Sequence, residues 1–125
     1  MTATIMNTKS ERTIAMGKLY YGSAGEPIQV SDRLLAHLKF VATTKLRRQE
    51  SFALNILHPT SEDAGRTTLW IQPAIPLRFV FSSAEPETLD RELIKQLAED
   101  ANTTGGMTLD ARETARPLNA VPAAA

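Results

Sequence analysis

The side chains most able to do chemistry are few and poorly spaced for it. His37 and His58 are the only two imidazoles. A helical zinc pair needs a second histidine one turn away, at i+4. That position after His37 is Val41, and His58 is followed by Pro59. By helical spacing His37 falls on the polar side of its segment, so both rings read as surface or half-buried side chains. No serine sits in a G-x-S-x-G elbow. Paired acids occur at Glu62-Asp63 and within residues 85–100, both in solvated contexts without the burial that catalytic carboxylates need. Gly22-Ser23-Ala24-Gly25 joins two strands and does not open a helix, and Gly105-Gly106 follows a helix, so neither is placed to cradle a phosphate. The expectation is no catalytic residue, no metal and no cofactor.

The elements around these residues are more legible. Residues 17–21 and 27–30 flank a glycine turn and read as a β-hairpin. Ser31 and Asp32 are helix N-caps. From there to about Arg48, Leu34, Leu35, Leu38, Val41, Ala42 and Leu46 recur at spacings of three and four, which makes one apolar helix face. Residues 51–58, 67–72 and 77–82 alternate as strands, the last two separated by the stiff Pro73-Ala74-Ile75-Pro76. Pro86, followed by Glu87, Asp90 and Glu92, opens a second helix whose stripe is Leu89, Leu93, Leu97 and Ala101. Residues 107–109 add a short edge strand. The order ββαβββα(β) predicts an α+β fold, an antiparallel sheet with both amphipathic helices on one face. Residues 1–15 and 111–125 lack periodicity and read as disordered extensions around one domain at 16–110.

Two patterns carry binding expectations. Residues 31–50 hold five cations against two anions, and Arg33, Lys45, Arg47 and Arg48 form a candidate nucleic-acid site beside the exposed Phe40. The sheet face turned from the helices presents Asn55, Leu57, Trp70, Gln72, Arg78 and Val80. Asn55, Trp70, Gln72 and Arg78 are therefore candidate interface residues, because Trp and Arg are the types that anchor protein contacts.

The runs MGKLYYG at 16–22, PIQVSDRLLAHLK at 27–39, KLRRQESF at 45–52, TTLWIQPAIPLRFVFS at 67–82 and ANTTGG at 101–106 resemble a family of small uncharacterised actinobacterial proteins of the Microbacterium type. Its members often carry the label "ATP-dependent DNA ligase". The resemblance also implies that members commonly begin at the methionine of MGKLYYG, so that residues 1–15 are either an extension peculiar to this chain or the product of a start codon placed too early. A ligase needs lysine in K-x-D-G to carry the adenylate. The five lysines here are followed by SER, LYY, FVA, LRR and QLA, so that nucleophile is absent.

Bulk properties set the remaining bounds. A chain of 125 residues with 42% apolar residues supports one core. Fourteen basic and fourteen acidic residues cancel, so any electrostatic partner must be drawn by local charge. With no cysteine there is no disulfide framework. No apolar run reaches the roughly 18 residues a membrane span needs. The expected protein is a cytoplasmic, non-catalytic binding or assembly module that self-associates; the alternative is a nucleic-acid-binding accessory protein using the basic helix.

Overall fold

The computed structural model describes residues 15–23, 25–58 and 64–112. The expectations for residues 1–14 and 113–125, and for the loop at 59–63, lie outside them. Alternation starts the fold: Gly17 and Leu19 point inward from β1 (Met16–Tyr21) while Met16 and Lys18 face out. β1 pairs antiparallel with β2 (Ile28–Ser31), Gly17 opposite Val30. Ser31 then caps α1 (Asp32–Arg47), its Oγ accepting from the Leu34 N–H at 3.2 Å. The helix buries Leu34, Leu35, Leu38, Val41 and Ala42, the face its spacing dictates. It ends where Gln49 takes a left-handed φ of 63° and the Glu50 N–H returns to the Lys45 carbonyl.

β3 (Phe52–Leu57) runs antiparallel to β4 (Arg66–Ile71), with Phe52 opposite Ile71. A turn closed by the Ile75 N–H on the Gln72 carbonyl leads into β5 (Leu77–Val80). β5 pairs with β1, not with β4, setting Phe79 opposite Leu19. After α2 (Arg91–Ala101), β6 (Met107–Asp110) lies parallel to β3, with Met107 opposite Leu54.

The fold is therefore α+β in the expected element order, but the single sheet is two: β2-β1-β5 and β4-β3-β6. Tyr21 occupies the seam between them. Its hydroxyl donates to the Trp70 carbonyl and accepts from the Gln72 N–H at 3.3 Å. Those are edge groups that a paired β5 would need. The parallel β6 follows from connectivity, since the chain re-enters this sheet through a helical crossover rather than a tight turn. α1 rests on β1 and β2, α2 rests on β3 and β6, and the helices touch each other. One core joins them, with Leu19, Leu35, Leu38, Leu54, Ile56, Ile71, Met107 and Leu109 all within 1% of complete burial.

α2 begins five residues later than Pro86 suggests. Asp90 is the N-cap, its carboxylate accepting from Glu92 and Leu93 N–H groups at 2.9 and 3.4 Å. Leu89 consequently lies ahead of the helix and is 39% exposed, so the buried stripe reduces to Leu97 and Ala101 with Leu93 half-buried. Gly106, at φ 82°, opens β6; a Cβ there would stand 2.5 Å from the Ala53 carbonyl oxygen, so only glycine lets β6 begin this close to β3.

Candidate functional site

Among the described residues, the buried titratable groups are spent on holding elements together. Asp32 is 1% exposed at the start of α1, and its carboxylate accepts from the Ser82 N–H and, at 2.8 Å, from the Ser82 hydroxyl. Its charge lies at the positive end of the helix dipole. Gly17 makes room for it, because a Cβ there would approach Asp32 Oδ1 to 2.7 Å. β1, α1 and the chain after β5 meet at this joint.

His37 departs from its expected surface position: it is fully buried. Nε2 accepts the Asp90 N–H at 2.8 Å, which assigns the ring proton to Nδ1, and Nδ1 donates to the Arg33 carbonyl at 2.6 Å. The neutral ring thus fastens the beginning of α2 to the middle of α1. His58 faces the Thr67 hydroxyl at 2.8 Å.

The basic-helix set is divided by the fold. Lys45 is 8% exposed; its ammonium donates to Asn102 Oδ1 at 2.6 Å and to Glu50 at 3.1 Å, closing the far ends of the two helices. Arg33 lies 3.7 Å from the Asp90 carboxylate. Arg47 and Arg48 are exposed, have no carboxylate partner among the described residues, and frame a shallow hollow with Thr44. Burial of Lys45 comes from α2 packing along α1, which the α1 sequence alone does not reveal.

The interface set is divided too. Trp70 is 60% exposed on β4, the largest apolar side chain in water. Arg78 is exposed on β5 with its guanidinium carbon 4.0 Å from the centroid of the Tyr20 ring, its neighbour across the strand pair. Asn55 instead serves the sheet: its amide donates to the Gly105 and Met107 carbonyls at 2.9 and 3.3 Å, and its Oδ1 accepts from the Thr68 hydroxyl at 2.7 Å. Gln72 is half-buried at the Tyr21 junction. The outward positions of β1, β4 and β5 add Lys18, Tyr20 and Arg66, which the sequence reading left unassigned. Counting back by twos from Trp70 through Thr68 would have found Arg66.

A separate groove of about 680 Å³ runs between α1 and residues 81–89. Phe40, Phe81 and Leu89 line it, with Lys39 and Arg47 on the helix side and Glu85 and Glu87 opposite. Lys39 Nζ stands 5.9 Å from the centroid of Phe81.

Among the described residues no group of three or more His, Cys, Asp or Glu side chains is arranged to hold a metal ion, and no helix is long and apolar enough to cross a membrane. Neither a curated protein nor a solved structure matches the chain. Residues 16–112, from the first residue of β1 to just beyond β6, match the family model of a domain of unknown function, DUF7882, and the chain belongs to that family.

Proposed function

We propose that this domain is a non-catalytic binding and assembly module that self-associates through the outward surface of its strands, with Trp70 as the anchor. The observation that carries the reading is the 60% exposure of Trp70 on a strand at the margin of its sheet. An indole held in water loses the apolar burial its size could supply, and such side chains concentrate at the centres of protein interfaces. Arg78 stacked on Tyr20 and the exposed Arg66 are the accompanying residue types. A non-catalytic role fits the use of Asp32, His37 and Lys45, each consumed by structural hydrogen bonds. A cysteine-free chain suits the reducing cytoplasm. Sedimentation velocity across micromolar to high micromolar concentrations tests the proposal. The wild type is expected to shift toward a dimer and Trp70→Ala to remain monomeric; a wild type that stays monomeric throughout refutes it.

A second reading has its own observation: Arg47 and Arg48 stand side by side without a carboxylate partner among the described residues, at the C-terminal end of α1. They suit a phosphate backbone. The K-x-D-G lysine of a ligase is lacking, so the role would be accessory binding. Fluorescence anisotropy with labelled single- and double-stranded DNA and RNA should show affinity falling steeply with salt and lost in the Arg47→Glu/Arg48→Glu variant. No binding at low salt excludes it.

A further inference from the structure

We infer that β4 is a pairing edge whose occupant is β4 of a second copy, run antiparallel about a two-fold axis through Thr67. The inference rests on the self-association reading above and specifies the atoms that make it.

Backbone direction along β4 follows from the bonds already made. The His58 N–H donates to the Gly65 carbonyl at 2.9 Å, continuing the register in which Leu57 faces Arg66. Alternation then turns the backbone groups of Thr67, Leu69 and Ile71 toward β3 and those of Arg66, Thr68 and Trp70 away from it. The Trp70 carbonyl confirms the assignment, because it receives the Tyr21 hydroxyl from the side opposite β3. Among the described residues β3 is the sole strand neighbour of β4. The N–H and C=O groups of Arg66 and Thr68 therefore form a short open ladder, and Tyr21 closes it at Trp70.

An incoming strand must use Arg66 and Thr68 and stop there. A two-fold antiparallel pairing that does so sets Arg66 of each copy opposite Thr68 of the other, with four backbone hydrogen bonds and the two Thr67 residues facing across the axis. On the exposed surface each Arg66 is then the diagonal neighbour of the other copy's Trp70, within reach of a long side chain. Each guanidinium can swing away from its symmetry mate and onto the indole face, covering the most exposed apolar ring with a cation. An unrelated peptide could fill the ladder but would cover Trp70 only if it carried a cation at the matching position; the β4 sequence RTTLWI supplies both halves of the contact itself.

The chain has no cysteine, so one introduced thiol reports the register without background. In the proposed pairing Thr67 faces Thr67 in a non-hydrogen-bonded site, where α-carbons lie about 4.5 Å apart and a disulfide fits. The full-length Thr67→Cys variant should form a covalent dimer under mild oxidation, far faster than Ser23→Cys on an exposed turn. Thr68→Pro removes an outward N–H and leaves the β3 ladder intact, but it also loses the hydroxyl bond to Asn55, so it should melt close to the Thr68→Ala control and, unlike that control, abolish the dimer. Should Thr68→Pro misfold, the Thr67→Cys result decides alone. A wild type that dimerises while Thr67→Cys cross-links no faster than Ser23→Cys overturns the β4 pairing and leaves the Trp70 surface reading standing. Preferential cross-linking of Thr68→Cys moves the axis by one residue and also overturns it. A wild type that never dimerises removes both readings.

Discussion

Replacing His37 with leucine tests whether a buried imidazole fastens the two helices. Leucine keeps the site filled with apolar volume of similar size, so little cavity cost is expected. What disappears is the acceptor of the Asp90 N–H at 2.8 Å and the donor to the Arg33 carbonyl. The Arg33 carbonyl lies within the helix and keeps its i+4 backbone partner. The bond is only partly buried, so water recovers part of what the Asp90 N–H loses. An unsatisfied donor costs about 1–3 kcal/mol, and this partial access puts the expected loss at the lower half, about 1–2 kcal/mol. For a domain of this size each kcal/mol moves the melting temperature by roughly 4–8 °C, giving a drop of about 5–15 °C. Thermal melts by circular dichroism measure it, with urea titration to check that the m-value is unchanged. Arg33→Ala is the companion, since its ion pair with Asp90 at 3.7 Å is solvent-exposed and is expected to cost under about 1 kcal/mol. If His37→Leu melts with the wild type, or if Arg33→Ala costs as much, the fastening role is wrong.

Other substitutions probe the joints separately. Gly17→Ala would drive a Cβ to 2.6 Å from the Val80 carbonyl oxygen and 2.7 Å from Asp32 Oδ1, so its urea midpoint should collapse, while Gly22→Ala, with nothing within 4 Å of the added carbon, bears only the strain of its left-handed φ of 83° and loses less. Ser82→Ala removes one of the bonds to Asp32 and should cost about 0.5–1.5 kcal/mol, whereas Asp32→Ala leaves α1 without its buried anion and should cost more; equal losses in urea titrations would contradict the joint. Asp110 is held below the ordinary carboxylate range chiefly by its hydrogen bond to Arg112, partly opposed by burial. The stability it contributes is thus present above the unfolded value and fades as pH falls through the folded one. The gap between wild type and Asp110→Asn should narrow in melts taken from neutral pH into acid, and a gap that widens would reverse the sign.

Local rules carried most of the elements. Leucine spacing marked α1, alternation marked β3 and β5, and the inward–outward division of Phe52, Leu54 and Ile56 against Trp70 and Arg78 holds. Partner choice was not local. Nothing in residues 77–80 says that they will join β1 and leave β4, because that choice rests on contacts with residues about sixty positions earlier, such as Leu19 opposite Phe79. His37 and Lys45 look solvent-facing on an isolated helix and become buried only when the beginning and end of α2 settle over them. Pro86 is a sound helix opener, yet Asp90 has the side chain that satisfies the first N–H groups, and capping decided the start. For the candidate site, residue type singled out Trp70 and Arg78, which both lie exposed, while the hydrogen bonds Asn55 makes within the sheet depend on β6 lying beside β3.

The strand order has a consequence for how the chain must fold. The polypeptide visits β2-β1-β5 with β1 and β2, leaves for β4-β3-β6 with β3 and β4, returns with β5 and leaves again with β6. Neither sheet is finished until the chain has come back from the other. The closing contacts, Leu19 with Phe79 and Leu54 with Met107, join residues more than fifty positions apart. Large loops must therefore close before those contacts reward them, which slows the search. During synthesis the β3–β4 hairpin would wait with Leu54 and Ile56 uncovered until Met107 and Leu109 leave the ribosome. Because both sheets and both helices share one core, unfolding should be all-or-none, with amides of both sheets exchanging at one common rate under conditions that favour global opening.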